Sequence, residues 1–172
     1  MARAVAAPLL VALACVTAVA GCTRSPSAEP APDVAGRGVV VNVVDGDTLE
    51  VDIGGRVERV RLVGIDTPES VDPDRPVECH GPEASALLGE LLPTGTEVRL
   101  ERDEEARDRY GRLLGYVFRT ADGLFVNQAI AAAGEAEPLD IPPNTAYRDV
   151  IADAVAQARA DGLGLWGACP AH

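Results

Sequence analysis

The 172-residue chain contains no lysine and only two histidines, His80 and the terminal His172. With so little imidazole, we expect neither histidine-based catalysis nor a zinc site. The chain also lacks the Gly-x-Ser-x-Gly, Cys-x-x-Cys and His-Glu-x-x-His patterns and a glycine-rich phosphate loop. These absences argue against the serine-hydrolase, zinc-protease and P-loop classes.

All 15 basic residues are arginines, and 27 acidic residues outnumber them, so that the net charge is −12. An acidic protein has no general electrostatic attraction to a polyanion. A function on nucleic acid would therefore have to arise from a local arrangement of residues rather than from the overall charge.

The first 21 residues are typical of a bacterial lipoprotein signal peptide. Met1-Ala2-Arg3 is a short positive start, and an apolar run that is too short to span a membrane follows from Val5 to Ala20. Small residues precede Cys22, as in a lipobox, so we predict cleavage before Cys22 and lipidation of its thiol. The protein would then be extracellular and anchored to the cell membrane. The alternative is an ordinary secretory signal in which Cys22 is incidental.

Residues 22–37 are rich in Pro, Ala and Ser and have almost nothing to bury, which predicts a disordered tether. Residues 38–170 are enough for one domain with a hydrophobic core, which we expect to be monomeric. No second apolar run is long enough to cross a membrane.

Two of the four cysteines lie in or directly after the predicted signal peptide, and two lie in the predicted domain. Cys15 leaves with the signal peptide, and Cys22 would carry lipid. Cys79 and Cys169 remain in an oxidising compartment, which favours one disulfide between them. A pair of free, buried thiols is the alternative.

The apolar pattern predicts an α+β fold that is mainly a β barrel. Alternation and turn residues predict five strands, at about 39–44, 49–53, 57–65, 97–101 and 113–118. Helical spacing predicts three helices, at about 82–92, 126–133 and 150–158. Five strands with a helix after the third match a small Greek-key barrel of the OB type.

Acidic residues and arginines concentrate at three predicted turns. Asp-Gly-Asp-Thr occupies 45–48, Arg-x-x-x-x-Asp-Thr-Pro-Glu occupies 61–69, and Asp-Arg-Tyr-Gly-Arg occupies 108–112. Each motif alone has a structural explanation, as a hairpin turn, a strand exit or a solvated charge. Together, hard oxygen ligands, a spare carboxylate and two guanidinium groups suit phosphodiester chemistry.

These three motifs, together with Gly-Pro-Glu-Ala-Ser-Ala at 81–86, between the second and the third, and Gly-Leu-Trp at 164–166, closely resemble the staphylococcal nuclease family in residues and order. The resemblance covers about residues 38–167. It implies that Asp47 and Asp66 bind Ca²⁺ through their carboxylates, with the Thr67 carbonyl as a third ligand. Asp45 would support these ligands without touching the ion.

The same resemblance implies the roles of the remaining site residues. Glu69 would orient or deprotonate the attacking water. Arg61 and Arg112 would hold the phosphate and stabilise charge in the transition state. Tyr110 would hold a terminal phosphate beside Arg109, where the family often has lysine.

Two features depart from the family's nuclease prototype. The prototype has tyrosines that contact the nucleotide after the second helix, but residues 137–143 contain none. The next aromatic residue, Tyr147, falls in the first turn of the third helix, where packing is an alternative role. The second departure is the acidic surface, which disfavours long DNA.

The resemblance implies an extracellular, calcium-dependent nuclease that cuts DNA, RNA or both and leaves 3′-phosphates. The alternative is a non-catalytic nucleic-acid- or calcium-binding module on the same barrel. Such a module should have lost part of the catalytic set, but Asp47, Arg61, Asp66, Glu69 and Arg112 are all present. A surface protein that uses calcium only for stability would leave both arginines unexplained.

Overall fold

The computed structural model describes Met1 and residues 34–169. Contacts divide the chain into the units 1–30 and 31–172, and the second unit contains all the described helices and strands. The predicted signal peptide, Cys22 and the tether as far as residue 33 lie outside the described residues. Within the described part, no helix is both long and apolar enough to span a membrane.

Seven strands and four helices follow one another along residues 34–169. The strands are β1 (Val34–Val43), β2 (Thr48–Ile53), β3 (Arg56–Leu62), β4 (Gly64–Asp66), β5 (Glu97–Glu101), β6 (Leu113–Arg119) and β7 (Glu137–Leu139). The helices are α1 (Gly81–Leu91), α2 (Val126–Ala133), α3 (Arg148–Ala160) and α4 (Leu165–Ala168).

Five strands close into a barrel in the order β1-β2-β3-β6-β5. Neighbours are antiparallel except β3 and β6, which pair in parallel with Val60 opposite Leu113. Antiparallel strands can join through tight turns, whereas this parallel pair is separated by α1 and β5. The predicted five-stranded OB-type barrel with three main helices is confirmed.

The third predicted strand, 57–65, is divided in two. β3 ends at Leu62, and β4 leaves the barrel to pair with β7 in a separate two-stranded sheet. Gly64 has a φ of +88°, and a Cβ added there would lie 2.5 Å from the side chain of Ile151 in α3. A glycine therefore allows the chain to turn away from the barrel and lie against the helix.

The barrel begins earlier than the predicted domain boundary at residue 38. β1 already pairs with β5 from Val34 opposite Glu101, so residues 34–37 are strand residues rather than tether. The long first strand contacts both β2 and β5, which requires the extra length.

The core fills the barrel and extends beneath the helices. Leu49, Val60 and Leu62 from the barrel are fully buried, as are Leu88 of α1 and Ile130 of α2. Burying one such side chain contributes about 1.5–3 kcal/mol. The helices α1 and α2 therefore extend the core of the barrel, and the polar residues Asp47, Thr48 and Arg61 are buried at the turns beside it.

Four of the five phenylalanine and tyrosine residues form one aromatic cluster: Tyr116, Phe118, Phe125 and Tyr147. The ring centroids of Tyr147 and Tyr116 are 4.6 Å apart, and the Tyr147 hydroxyl donates a 2.6 Å hydrogen bond to Glu101. Tyr147 therefore has a packing role, and the remaining tyrosine, Tyr110, is 68% exposed.

The structure joins Cys79 and Cys169 in a disulfide, with their Cα atoms 5.9 Å apart. This is the pairing that the sequence predicts. It ties the loop that precedes α1 to the segment that follows α4, across a sequence separation of 90 residues.

Candidate active-site cleft

One cleft of about 720 Å³ collects the residues to which the sequence assigns metal binding, substrate binding or catalysis. These are Asp45, Asp47, Arg61, Asp66, Thr67, Glu69, Arg109, Tyr110 and Arg112. The barrel brings their three motifs together, because Arg61 of β3 lies opposite Thr48 of β2 on one side and Leu114 of β6 on the other. Residues far apart in sequence therefore share one wall.

Arg61 lies at the centre of the cleft floor, with only 7% of its side chain exposed. Nη1 donates hydrogen bonds to the carbonyls of Leu62 and Ile65, at 2.5 and 2.8 Å. Nη2 lies 2.9 Å from Oδ2 of Asp47 and 2.8 Å from Oδ1 of Asp66. The break between β3 and β4 is thus folded around this guanidinium group, which fixes its position.

Asp47 is held on both of its oxygens. Oδ1 accepts a 2.9 Å hydrogen bond from the Thr48 hydroxyl, and Oδ2 accepts a 3.1 Å bond from the Thr67 N–H. The turn approaches Thr67 so closely that a Cβ on Gly46 would lie 2.7 Å from its hydroxyl oxygen. A glycine between the two aspartates therefore permits the contact between the hairpin turn and the loop after β4.

Asp45 lies beside Asp47 in the same turn. Its Oδ1 accepts a 3.0 Å hydrogen bond from the Asp47 N–H. Burial, together with the neighbouring Asp47 carboxylate, raises the pKa of Asp45 to about 6. Negative charge is therefore crowded at this end of the cleft, and a cation would relieve it.

The donor atoms at this end of the cleft fit a hard divalent cation. Asp47 and Asp66 converge on a single nitrogen of Arg61. Ca²⁺ takes roughly six to eight oxygen ligands, among which carbonyls and waters are common. Among residues 34–169, no group of three or more His, Cys, Asp or Glu side chains is placed to hold a metal ion. A cation here would therefore be held by two carboxylates, a backbone oxygen such as that of Thr67, and water.

Glu69 presents a half-buried carboxylate to the cleft, with 20% of its side chain exposed. Its Oε1 accepts hydrogen bonds from the N–H groups of Ser70 and Val71, both at 2.8 Å, and of Asp72 at 3.0 Å. These bonds, that of Val71 foremost, hold the pKa of Glu69 below its usual value despite the opposing effect of burial. Glu69 is therefore ionised at neutral pH, and Oε2 is the oxygen left for a water molecule.

Arg112 lines the same cleft and directly precedes β6, the strand that pairs with β3. Its Nε donates a 2.7 Å bond to Oδ2 of Asp108, and its backbone N–H donates to Oδ1 of the same carboxylate. Although burial opposes it, the Arg112 guanidinium lowers the pKa of Asp108. Because Asp108 takes only the Nε donor, the terminal nitrogens of Arg112 are the donors left for a phosphate.

Arg109 and Tyr110 line the cleft beside Arg112 in the same motif. Arg109 donates a 2.6 Å hydrogen bond to the Tyr110 hydroxyl and lies over its ring, 4.7 Å from the centroid. Arg112 approaches the same ring at 5.5 Å. Both guanidinium groups and the hydroxyl are therefore donors along a single exposed edge.

The staphylococcal nuclease homologue family matches residues 59–168, well over half of the chain. The chain belongs to the staphylococcal nuclease family. It is 42% identical to a thermonuclease of Staphylococcus intermedius, over 82% of this chain and 83% of that protein. It is 39% identical to a thermonuclease of Staphylococcus hyicus, over 74% and 73% of the two chains. The endonuclease YncB of Bacillus subtilis is 37% identical, over 72% of this chain and 58% of YncB.

Sequence reasoning missed several residues that line the cleft of this staphylococcal nuclease family member: Pro68, Arg75, Glu78, Glu105, Asp108, Leu114, Leu139 and Ile141. Arg75 and Glu78 fall in a proline-rich loop without periodicity, so no pattern pointed to them. Leu139 and Ile141 occupy the segment without tyrosines. A clue was available for Pro68 and Asp108, which lie inside two of the three motifs.

Proposed function

We propose that the chain is a calcium-dependent nuclease that acts outside the cell, hydrolyses phosphodiester bonds of DNA, RNA or both, and leaves 3′-phosphates. The observation that carries this proposal is the presence in one cleft of a carboxylate pair, two arginines and a further carboxylate, Glu69. The relatives that are named thermonuclease and endonuclease support the class of reaction.

In this proposal, Asp47, Asp66 and the Thr67 carbonyl hold the ion. A bound Ca²⁺ supplies Lewis-acid polarisation of the phosphodiester and a template for water. The Thr48 hydroxyl and the Thr67 N–H each hold one Asp47 oxygen, which restricts the orientation of this ligand. Asp45 adds negative charge behind Asp47, which favours a cation.

Arg112 and Arg61 stabilise the negative charge that develops on the phosphoryl oxygens. Charge-assisted hydrogen bonds from fixed guanidinium groups act most strongly where the charge of the transition state appears. Asp108 fixes Arg112 through Nε, and the carbonyls of Leu62 and Ile65 fix Arg61 through Nη1. The terminal nitrogens of Arg112 therefore face the substrate directly. Nη2 of Arg61 is bonded to Asp47 and Asp66, and it would become a donor to the phosphate when a cation draws these carboxylates away.

Glu69 orients the attacking water through Oε2 and accepts its proton. Three backbone N–H groups stabilise the ionised form of Glu69, so it is a weak base. Most of the rate acceleration should therefore come from charge stabilisation by the arginines and the ion rather than from proton transfer.

The proposed location rests on the first 22 residues. A signal peptide followed by Cys22 would place the enzyme on the outer face of the membrane, with the tether between the lipid and the barrel. Cys22→Ala should release the protein from the membrane fraction. A mature protein that begins at another residue and carries no lipid, by mass spectrometry, would contradict this assignment.

The activity is tested by incubating the protein with single- and double-stranded DNA and with RNA, in calcium and in chelator. We expect cleavage in calcium only, with 3′-phosphate ends, and strong loss in Arg112→Ala. Binding of nucleic acid without cleavage by the wild type would favour the alternative of a non-catalytic module. Equal activity in chelator would reject the calcium dependence.

A further inference from the structure

Glu69 lies near the start of the irregular loop of residues 67–80, between β4 and α1. Its Oε1 is bonded to three N–H groups of that loop, so the position of the carboxylate follows the conformation of the loop. A misplacement of about 1 Å in a catalytic group can cost on the order of a hundredfold in rate. The proposed role of Glu69 therefore requires that something hold the loop.

Glu78 closes the loop back onto Glu69. The Glu78 N–H donates a 2.8 Å hydrogen bond to the Glu69 carbonyl. In return, the Glu69 N–H donates a 2.9 Å bond to Oε2 of Glu78. The backbone of Glu69 is thus held on both sides by a single residue nine positions later in the chain.

Arg75 joins the two carboxylates. Its Nη2 lies 2.6 Å from Oε1 of Glu78, and its Nη1 lies 4.0 Å from Oε2 of Glu69. Without this guanidinium, the two carboxylates would face each other across the loop with no charge between them. Arg75 also lines the cleft, although no sequence pattern distinguishes it.

The exposure of the Arg75–Glu78 pair indicates that it contributes to the position of Glu69 rather than to the stability of the fold. The side chains of Arg75 and Glu78 are 55% and 44% exposed, and ion pairs this open to solvent add little to folding stability. The disulfide at Cys79 and the bond between His80 and Glu135 anchor the next two residues independently. The Arg75–Glu78 pair is therefore not needed to attach the loop to the barrel.

We infer that Arg75 and Glu78 are positioning residues that hold the Glu69 carboxylate in the cleft, an inference that rests on the proposed nuclease function. In this inference Arg75 acts through Glu69 and Glu78 rather than on the substrate, since its guanidinium group lies against both of these carboxylates. Its loss should therefore lower kcat and leave KM for a short substrate nearly unchanged.

The test compares Arg75→Ala, Arg75→Lys, Glu78→Ala and Glu69→Gln with the wild type, on a short labelled single-stranded DNA in calcium. We expect Arg75→Ala and Glu78→Ala to lower kcat about 10- to 100-fold, with an unchanged midpoint of urea unfolding. Arg75→Lys should recover part of the loss because it keeps the charge. In the Glu69→Gln background, Arg75→Ala should have no further effect, since both changes act on one group.

Arg119→Ala is the control for the loss of an ion pair of the same sequence spacing. Arg119 pairs with Asp122 at 2.7 Å outside the cleft and also donates a 2.8 Å hydrogen bond to the Leu91 carbonyl, so this variant loses more structural contacts than Arg75→Ala. Its loss should leave kcat unchanged. A rise in KM with effects that add to those of Glu69→Gln would show that Arg75 binds substrate and would overturn the inference.

Amide hydrogen exchange separates this inference from the proposed function. The N–H groups of Val71 and Asp72 donate to Glu69 Oε1, so Arg75→Ala should speed their exchange at least severalfold, while Arg119→Ala should not. If the wild type cleaves no nucleic acid, the proposed function fails. Faster exchange in Arg75→Ala would still show that Arg75 helps to hold the loop around Glu69. Unchanged exchange in Arg75→Ala would reject it.

Discussion

Nη2 of Arg61 lies 2.9 Å from Oδ2 of Asp47, and each side chain is less than one-tenth exposed. The arginine that we propose to stabilise the phosphate is therefore also the counter-charge of a proposed metal ligand. A buried charge that loses its partner is costly, whereas an added cation can replace that partner. Arg61 therefore links the stability of the fold to the chemistry of the cleft.

Arg61→Ala should destabilise the ion-free protein by about 3–5 kcal/mol, because it leaves Asp47 buried without a counter-charge. Saturating calcium should recover part of the loss. Urea unfolding with and without calcium measures both effects. Arg56→Ala in the same strand is the control. The Arg56 side chain is 83% exposed, so its loss should change the free energy of unfolding by less than about 0.5 kcal/mol. Equal stability of the two variants without calcium would contradict the expectation.

Arg112→Ala should separate catalysis from stability. Removing one charged donor to a developing negative charge costs about 2.7–4 kcal/mol of barrier, or roughly a hundred- to a thousandfold in rate. The Arg112–Asp108 pair is only partly buried, so the free energy of unfolding should fall by no more than about 1 kcal/mol. Calcium-dependent hydrolysis and urea unfolding check the two values. Full activity of Arg112→Ala would remove this residue from the site.

Asp45→Asn should stabilise the ion-free protein at neutral pH. Because the pKa of Asp45 is raised to about 6, the native state binds its proton more tightly than the unfolded chain does. The contribution of Asp45 to stability therefore falls as pH rises from about 4 to about 6. Asparagine keeps an acceptor for the Asp47 N–H but carries no charge.

The gain should be on the order of 1 kcal/mol at pH 7.5 after allowance for solvent screening, and absent near pH 4. Urea unfolding at the two pH values, in chelator, measures it. Calcium affinity should fall in the same variant because one negative charge near Asp47 is lost. A variant that is less stable than the wild type at pH 7.5 would refute the assignment.

Replacing Cys79 and Cys169 together by serine should lower the free energy of unfolding by about 4 kcal/mol on the chain-entropy model, because the disulfide closes a long loop. The wild type with reductant should behave in the same way, and the variant should not respond to reductant. Two titratable thiols in the unfolded, unreduced wild type would contradict the bond.

The barrel could be predicted from the sequence because its signals are local. Alternating apolar residues define β2 and β5, a short apolar run defines β6, and turn residues such as those at 54–55 define where strands end. Helical spacing likewise predicted α2 and its end at Gly134, which has the left-handed conformation. Each of these features depends on neighbours in the chain.

The grouping of Asp47, Arg61, Glu69 and Arg112 in one cleft could also be anticipated, since they belong to short ordered motifs. Their geometry could not. That Arg61 bonds two backbone carbonyls and bridges Asp47 to Asp66 depends on how the chain turns after Leu62. The direction of the chain after Leu62 is set by the packing of Gly64 against α3, which starts more than 80 residues later.

By itself, the sequence determined the barrel, its main helices and the acidic and arginine side chains of the cleft. Apolar periodicity and motif order can be read from the residues alone. Only the tertiary structure decided that the third strand is divided, that β4 pairs with β7, and that Arg75 and Glu78 enclose Glu69. These features arise from contacts between segments that no local pattern relates. Their energies come from side-chain packing and hydrogen bonds that exist only once the barrel has closed.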